Sequence, residues 1–246
     1  AVENARLLER LRTENIYLRR EVERRYRFEN LLGESPAMER LTHLMEKVAD
    51  TPASILIWGE TGTGKEVVAR SVHYASDRRS RPFVTVDCGA LPENLLESEL
   101  FGHRRGAFSG AIHDRVGLFE EAGGGTLFLD EITNTSTDLQ AKLLRVLQEG
   151  EIRRVGENQV RKVDVRIIAA TNIDMAEAVK EGTFREDLYY RLSVIPLEVP
   201  PLRERREDIP LLALHFLKKT CERHSKEIKG FTEAGMAFLV QAPWRG

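Results

Sequence analysis

Ile55-Leu56-Ile57-Trp58 runs directly into Gly59-Glu60-Thr61-Gly62-Thr63-Gly64-Lys65, and a helical stretch follows at once. The apolar run reads as a buried strand. The glycines let backbone N–H groups turn toward bound phosphates, and the N-terminus of the next helix adds positive potential. A lysine at position 65 reaches the β- and γ-phosphates of a nucleotide. Strand, loop and helix in that order distinguish a phosphate loop from a glycine turn with a chance lysine. One position departs from the pattern. The Ser or Thr that usually follows the lysine is Glu66, so no hydroxyl is available there for Mg²⁺.

Working outward, Gly123-Gly124-Gly125-Thr126-Leu127-Phe128-Leu129-Asp130-Glu131 is a second apolar strand, ending in two acids. Beside a phosphate loop, Asp130 is expected to organise Mg²⁺ and its waters, and Glu131 to polarise the attacking water. Alone, such a pair also suits the start of a helix, where acids meet the helix dipole. A third strand over 165–170 ends at Thr171-Asn172. Asn172 is expected to face the γ-phosphate and position water; a plain strand-end turn is the alternative.

Strands are predicted over 54–58, 83–87, 126–129, 165–170 and 194–199. Helices are predicted over 36–48, 65–74, 91–100, 137–148 and 184–192, the first capped by Ser35 with Pro36 in its first turn. Alternation of this kind means an α/β fold, a parallel five-stranded sheet covered by helices on both faces, with ligands beyond the carboxyl ends of the strands. Pro196, Pro200 and Pro201 punctuate the last strand. Helical stretches over 209–223 and 232–241 then form a small lid. The expected domains are a linker helix over 1–27, an ATPase core over 28–201 and the lid over 202–246.

In the linker, Leu8, Leu11, Asn15, Leu18 and Val22 step by 3, 4, 3 and 4, the seam of a coiled coil with one polar residue. A parallel dimer is expected; a single amphipathic helix lying on its own domain is the alternative. The 246 residues carry a net charge of −2, so the whole chain is no electrostatic binder of nucleic acid. Two cysteines without metal-like spacing, Cys88 and Cys221, point to a reducing, cytoplasmic setting. No stretch approaches the roughly 20 apolar residues of a membrane span. Both ends look cut, as in a piece of a longer protein.

From about residue 28 to the last, the chain resembles the AAA+ central domain of bacterial enhancer-binding proteins, which activate the sigma-54 form of RNA polymerase. The resemblance rests on Gly59 to Glu66, on Glu99-Leu100-Phe101-Gly102-His103, on Leu129-Asp130-Glu131 and on Phe184-Arg185-Glu186-Asp187-Leu188-Tyr189-Tyr190-Arg191-Leu192. Its most specific block is Gly106-Ala107-Phe108-Ser109-Gly110-Ala111, similar to Gly-Ala-Phe-Thr-Gly-Ala with Ser109 in place of Thr. The family has a Glu after the phosphate-loop lysine, so Glu66 does not mark a dead site.

The resemblance implies ATP and Mg²⁺ as ligands, with nucleotide contacts from Gly59, Glu60, Thr61, Gly62, Thr63, Gly64, Lys65, Glu66 and Val67. It implies that the 106–111 loop touches sigma-54 through Phe108, an apolar tip between small residues. His103, Arg104 and Arg105 nearby are either a polymerase or DNA contact or a solvated basic turn. Arg185 and Arg191 match arginine fingers, which act on a neighbouring subunit's ATP in a hexameric or heptameric ring. Six residues apart on a helix, they point about 240° apart. For Arg191 the alternative is an i,i+4 ion pair with Asp187. Asp87 stands where the family often has an Asn that pairs with the catalytic glutamate, and is expected to repel Glu131. The chain stops at Trp244-Arg245-Gly246, before the family's nucleotide-sensing lid Arg, so an incomplete lid is expected. A phosphorylatable receiver before the chain and an enhancer-DNA-binding helix-turn-helix after it are implied.

The function expected is therefore ATP-driven remodelling of the sigma-54 holoenzyme at a closed promoter complex. An AAA+ ATPase acting on another protein or on DNA, and a regulator that binds ATP without hydrolysing it, are the alternatives.

Overall fold

The computed structural model describes Arg6, Leu7, Glu9, Leu11, Glu14 and residues 31–245. Of the heptad residues only Leu11 is among these, and it is exposed; Leu8, Asn15, Leu18 and Val22 lie outside the described residues.

Helix α1 (Pro36–Val48) starts where Ser35 accepts a hydrogen bond from the Met38 amide. Strand β1 (Ile55–Trp58) leads through the glycine loop to α2 (Lys65–Ala75). β2 (Phe83–Asp87) and α3 (Glu93–Phe101) follow, then a short antiparallel pair, β3 (Gly102–His103) and β4 (Arg115–Val116). After α4 (Leu118–Glu121) come β5 (Thr126–Asp130) and α5 (Thr137–Glu149). A second antiparallel pair, β6 (Glu151–Ile152) and β7 (Arg161–Lys162), feeds β8 (Arg166–Thr171). Then come α6 (Met175–Lys180), α7 (Glu186–Leu192) and β9 (Ile195–Glu198), and last the helices α8 (Ile209–His224) and α9 (Glu233–Gln241).

The main sheet has the order β2-β5-β8-β1-β9, and every pairing in it is parallel. Because side chains alternate along a strand, each strand feeds two cores. Ile55, Ile57, Phe128, Ile168 and Ala170 pack under α1 and α2 with Met38, Met45, Val68 and Val72. Leu56, Leu127, Leu129, Ile167 and Ala169 pack on the other face with Leu100, Phe119, Leu139, Leu143 and Leu188 from α3, α4, α5 and α7. This is a three-layer α/β fold, as the alternation predicts.

α8 and α9 are packed more loosely. Within them only Ile209 is buried, and Phe216 and Phe238 are exposed. Among the described residues no helix is long and apolar enough to cross a membrane.

Candidate active site

The strands deliver their carboxyl ends to one edge of the sheet. At the end of β1, Gly59 lies so close to the neighbouring chain that a Cβ there would sit 2.8 Å from the Val199 carbonyl oxygen. Gly62 (φ 80°) and Gly64 (φ 100°) hold the left-handed backbone that curls the loop into the N-terminus of α2. Lys65 is 8% exposed, and its Nζ donates to the carbonyls of Gly59 (2.8 Å) and Glu60 (3.2 Å). Burial pulls its pKa down, while Asp130 and Glu131 oppose the shift. Glu66, at the usual hydroxyl position, turns back along its own helix to Arg70 at 2.6 Å. Val67 is exposed.

β5 ends at Asp130. Glu131 then turns the chain with φ 51°, a left-handed conformation unusual for a side chain of its size. Its amide donates to Asp130 Oδ1 (3.1 Å). Burial pushes the Asp130 pKa up, opposed by that amide and by Lys65. From the end of β8, Asn172 Nδ2 donates to Thr61 Oγ1 (3.0 Å), which joins this residue to the phosphate loop. Thr171 Oγ1 lies 3.3 Å from Thr133 Oγ1 and ties the same strand end to the turn after Glu131. The sequence-predicted Lys65, Asp130, Glu131 and Asn172 are thus brought to one place.

Asp87 and Glu131, expected to repel each other, each take a donor of their own. Asp87 Oδ1 accepts from the Gly89 amide (2.8 Å), and Glu131 Oε2 accepts from Asn134 Nδ2 (2.9 Å). Asn134 was not singled out by sequence; its only signal is its spacing, three residues after Glu131 in a tight turn. Two lid-side arginines were missed as well. Arg203 makes a two-pronged ion pair with Glu60 (2.7 and 2.5 Å), and the buried Arg205 donates to the Thr63 carbonyl (3.0 Å).

The finger candidates differ from expectation in one respect. Arg185 is not helical: it is the residue before α7, at φ −73° and ψ 132°, so a helical angle between it and Arg191 does not apply. Its guanidinium takes Asp187 with two hydrogen bonds (3.0 and 2.8 Å), which raise its pKa. Asp187 is therefore not the partner of Arg191. Arg191 is exposed and makes no ion pair or hydrogen bond among the described residues. Neither arginine bonds to Lys65, Asp130 or Glu131.

The 106–111 loop rises between β3 and β4. Gly106 (φ 83°) and Gly110 (φ 111°) let it fold back so that the Gly106 amide donates to the Ala111 carbonyl (2.8 Å). Ala111 is 6% exposed and anchors the loop, so it is no surface contact. Phe108 is 38% exposed, its ring edge-on to His103 at 5.0 Å. At the base, Arg104 N donates to the Val155 carbonyl (3.0 Å) and Val155 N to that of Gly102 (2.9 Å). The Arg104 side chain pairs with Asp114 and with Glu157. The Arg104 charge is thereby neutralised within the chain. Ala107 rests on Gly156, where a Cβ would come within 2.8 Å of its own. The loop thus leans on the hairpin that leads into β8.

Comparison with known proteins agrees with this arrangement. A family described as "Sigma-54 interaction domain" matches residues 31–198, and an "AAA+ ATPase lid domain" matches 203–246. The transcriptional regulatory protein ZraR of Salmonella typhimurium is 56% identical over 216 residues, 88% of this chain and 49% of that protein. The Nif-specific regulatory protein of Azotobacter vinelandii is 53% identical over 230 residues, 93% of this chain and 44% of that protein. NtrX from Brucella abortus, solved with ADP, superposes with a TM-score of 0.86 at 40% identity, over 99% of this chain and 53% of its own. The chain spans about half the length of the curated relatives it matches. It belongs to the sigma-54 interaction domain family of AAA+ transcriptional activators.

Proposed function

We propose that this chain hydrolyses ATP and uses the energy to remodel the sigma-54 RNA polymerase holoenzyme at a closed promoter complex. The observation that carries the reading is the convergence of Lys65, Asp130, Glu131 and Asn172 at the carboxyl ends of three adjacent strands. NtrX has been solved with ATP as well as with ADP, which supports the same ligand here. In this reading the 59–65 loop holds the phosphates, and Lys65 exchanges its two carbonyl partners for β- and γ-phosphate oxygens. Asn172 faces the γ-phosphate from beside Thr61. Glu131 takes a proton from the water that attacks the γ-phosphorus; the bond to the bridging oxygen breaks, leaving ADP and phosphate.

Asp130 fits a divalent cation. It is half-buried and electron-rich, with one backbone donor on Oδ1 and a pKa raised by burial. Among the described residues no three His, Cys, Asp or Glu side chains are grouped to hold a metal by themselves. Mg²⁺ would therefore arrive with the nucleotide, held by Asp130, phosphate and water, and would offset charge on the phosphates.

Arg191, exposed and without an ion pair or hydrogen bond among the described residues, is the better candidate for a finger reaching a neighbouring subunit in a hexameric or heptameric ring; Arg185 would first have to leave Asp187. Phe108 would contact sigma-54. The hairpin contact between Ala107 and Gly156 gives nucleotide-dependent movement of β8 a route to that tip. The core over 28–201 and the lid over 202–246 would act with enhancer DNA bound through a domain outside this chain.

The test is Glu131→Ala. ATP binding should persist while turnover falls at least a hundredfold and open-complex formation is lost. Turnover that survives the change would refute the hydrolytic reading; sigma-54 binding unchanged by Phe108→Ala would refute the assignment of the tip.

A further inference from the structure

The Glu131 carboxylate has a defined resting place, and the sheet order says on which side of the site it lies. The hydrogen bond from Asn134 Nδ2 to Glu131 Oε2 passes directly over Gly89: a Cβ built there would sit 2.6 Å from the donor and 2.9 Å from the acceptor. Gly89 follows β2, the edge strand beside β5. The phosphate loop follows β1, two strands to the other side of β5, with β8 and its Asn172 between. The carboxylate is therefore drawn toward the β2 edge, away from Thr61 and Asn172. In the same arrangement Lys65 donates to the loop's own carbonyls.

We infer that Asn134 is a positioning residue that parks Glu131 over Gly89, and that breaking this one hydrogen bond must precede activation of water. The inference rests on the hydrolytic role proposed for Glu131. Asp87 cannot share the task. Its Oδ1 is 3.4 Å from the same point over Gly89, but a carboxylate offers Glu131 no donor. Asn134 supplies the neutral donor that the neighbouring strand lacks. The hold is also shallow. Asn134 is exposed, and a single amide donor in contact with water contributes little net stability, so the bond can open on the timescale of turnover. Gly89 is part of the same device, because any side chain there would occupy the path of the bond.

Steady-state ATP turnover tests this with Asn134→Ala, Gly89→Ala, the double variant and Glu131→Ala. Both single changes should raise kcat about fivefold, the factor that corresponds to one ordinary hydrogen bond, with KM for ATP unchanged. The two positions lie on different strand ends and share this contact, so the double variant should be no faster than either single one. A kcat that falls or stays level in both single variants overturns the inference, as does a double variant whose gain is the product of the two. If Glu131→Ala keeps its turnover, the hydrolytic reading itself fails. If Glu131→Ala is inactive and the other variants behave as wild type, only the parking role fails.

Discussion

The two ends of the same five strands are built on opposite terms. At the amino end, a buried cation is bonded to the chain's own carbonyls. Arg166 opens β8 at 3% exposure and donates to the carbonyls of Val48 (2.8 Å), Ala49 and Ala53 (3.4 Å). It thereby ties the last turn of α1 to the sheet, where a cation also suits the helix dipole. His73 is fully buried beside the start of β5, its Nδ1 2.9 Å from Thr126 Oγ1. At the carboxyl end, three carboxylates, Asp87, Asp130 and Glu131, stand near one lysine that is bonded to its own loop, and Glu131 carries a strained backbone. The buried cation of the amino end is met by the chain's own carbonyls, although His73 Nε2 finds no hydrogen-bond partner among the described residues; the carboxyl end holds groups that a ligand would satisfy better. That asymmetry separates residues kept for stability from residues kept for chemistry.

The largest expected effect tests the carboxyl end. Lys65→Ala should reduce ATP turnover by about a thousandfold, because the cation proposed to meet the phosphates is gone. Its unfolding free energy should stay within about 1 kcal/mol of wild type. Turnover and denaturant unfolding measured on one preparation decide the matter; a large loss of stability would erase the distinction between the ends. Arg166→Ala is the converse. Removing a buried cation that serves three carbonyls should cost about 4 kcal/mol of stability. Turnover per folded molecule should change less than twofold, as read by urea unfolding and by kinetics well below the transition.

A smaller effect follows from pH. Burial lowers the pKa of His73 from 6.5 to about 4. The unfolded chain therefore binds this proton more readily than the folded one between those values. The contribution is fully present above pH 6.5 and is lost as pH falls toward 4. The total is on the order of 3 kcal/mol. His73→Gln, which cannot titrate, should flatten that part of the stability profile relative to wild type. An unchanged slope would place the acid sensitivity among the carboxyl-end acids instead.

The same division governs what could be read from sequence. The five sheet strands and the larger helices lie within about two residues of their predicted bounds, because a buried parallel sheet imposes long apolar runs and the phosphate loop needs glycines at fixed places. Lys65, Asp130, Glu131 and Asn172 could be expected together from sequence because Lys65 starts a helix and the other three lie at or just after the end of a strand. The pairs β3–β4 and β6–β7 were not, since two-residue strands have no alternation to show. Asn134 went unnoticed because its role depends on the direction Glu131 takes out of β5. Arg203 and Glu60 are 143 positions apart, and no local pattern links them. The i,i+4 template misled at Asp187, since its partner Arg185 sits outside the helix to which the template applies.

The smallest effect probes where the carboxyl-end site stops. Arg203 holds the Glu60 carboxylate and keeps its pKa below the ordinary range, and Glu60 in turn raises that of Arg203. Both side chains are more than a third exposed, so water and salt screen the pair and its worth as a structural tie is small. Its effect on the ligand is of another kind. Without Arg203, the carboxylate of Glu60 would be uncompensated beside the loop that must receive phosphates. Arg203→Ala should therefore weaken ATP binding by less than about threefold at moderate salt. The difference should vanish at high salt, and Glu60→Gln in the same chain should abolish it. Titration of ATP by calorimetry at two ionic strengths reads all three. A loss of tenfold or more that persists at high salt would mean that Arg203 touches the nucleotide directly, and the site would then extend from the strand ends into the lid.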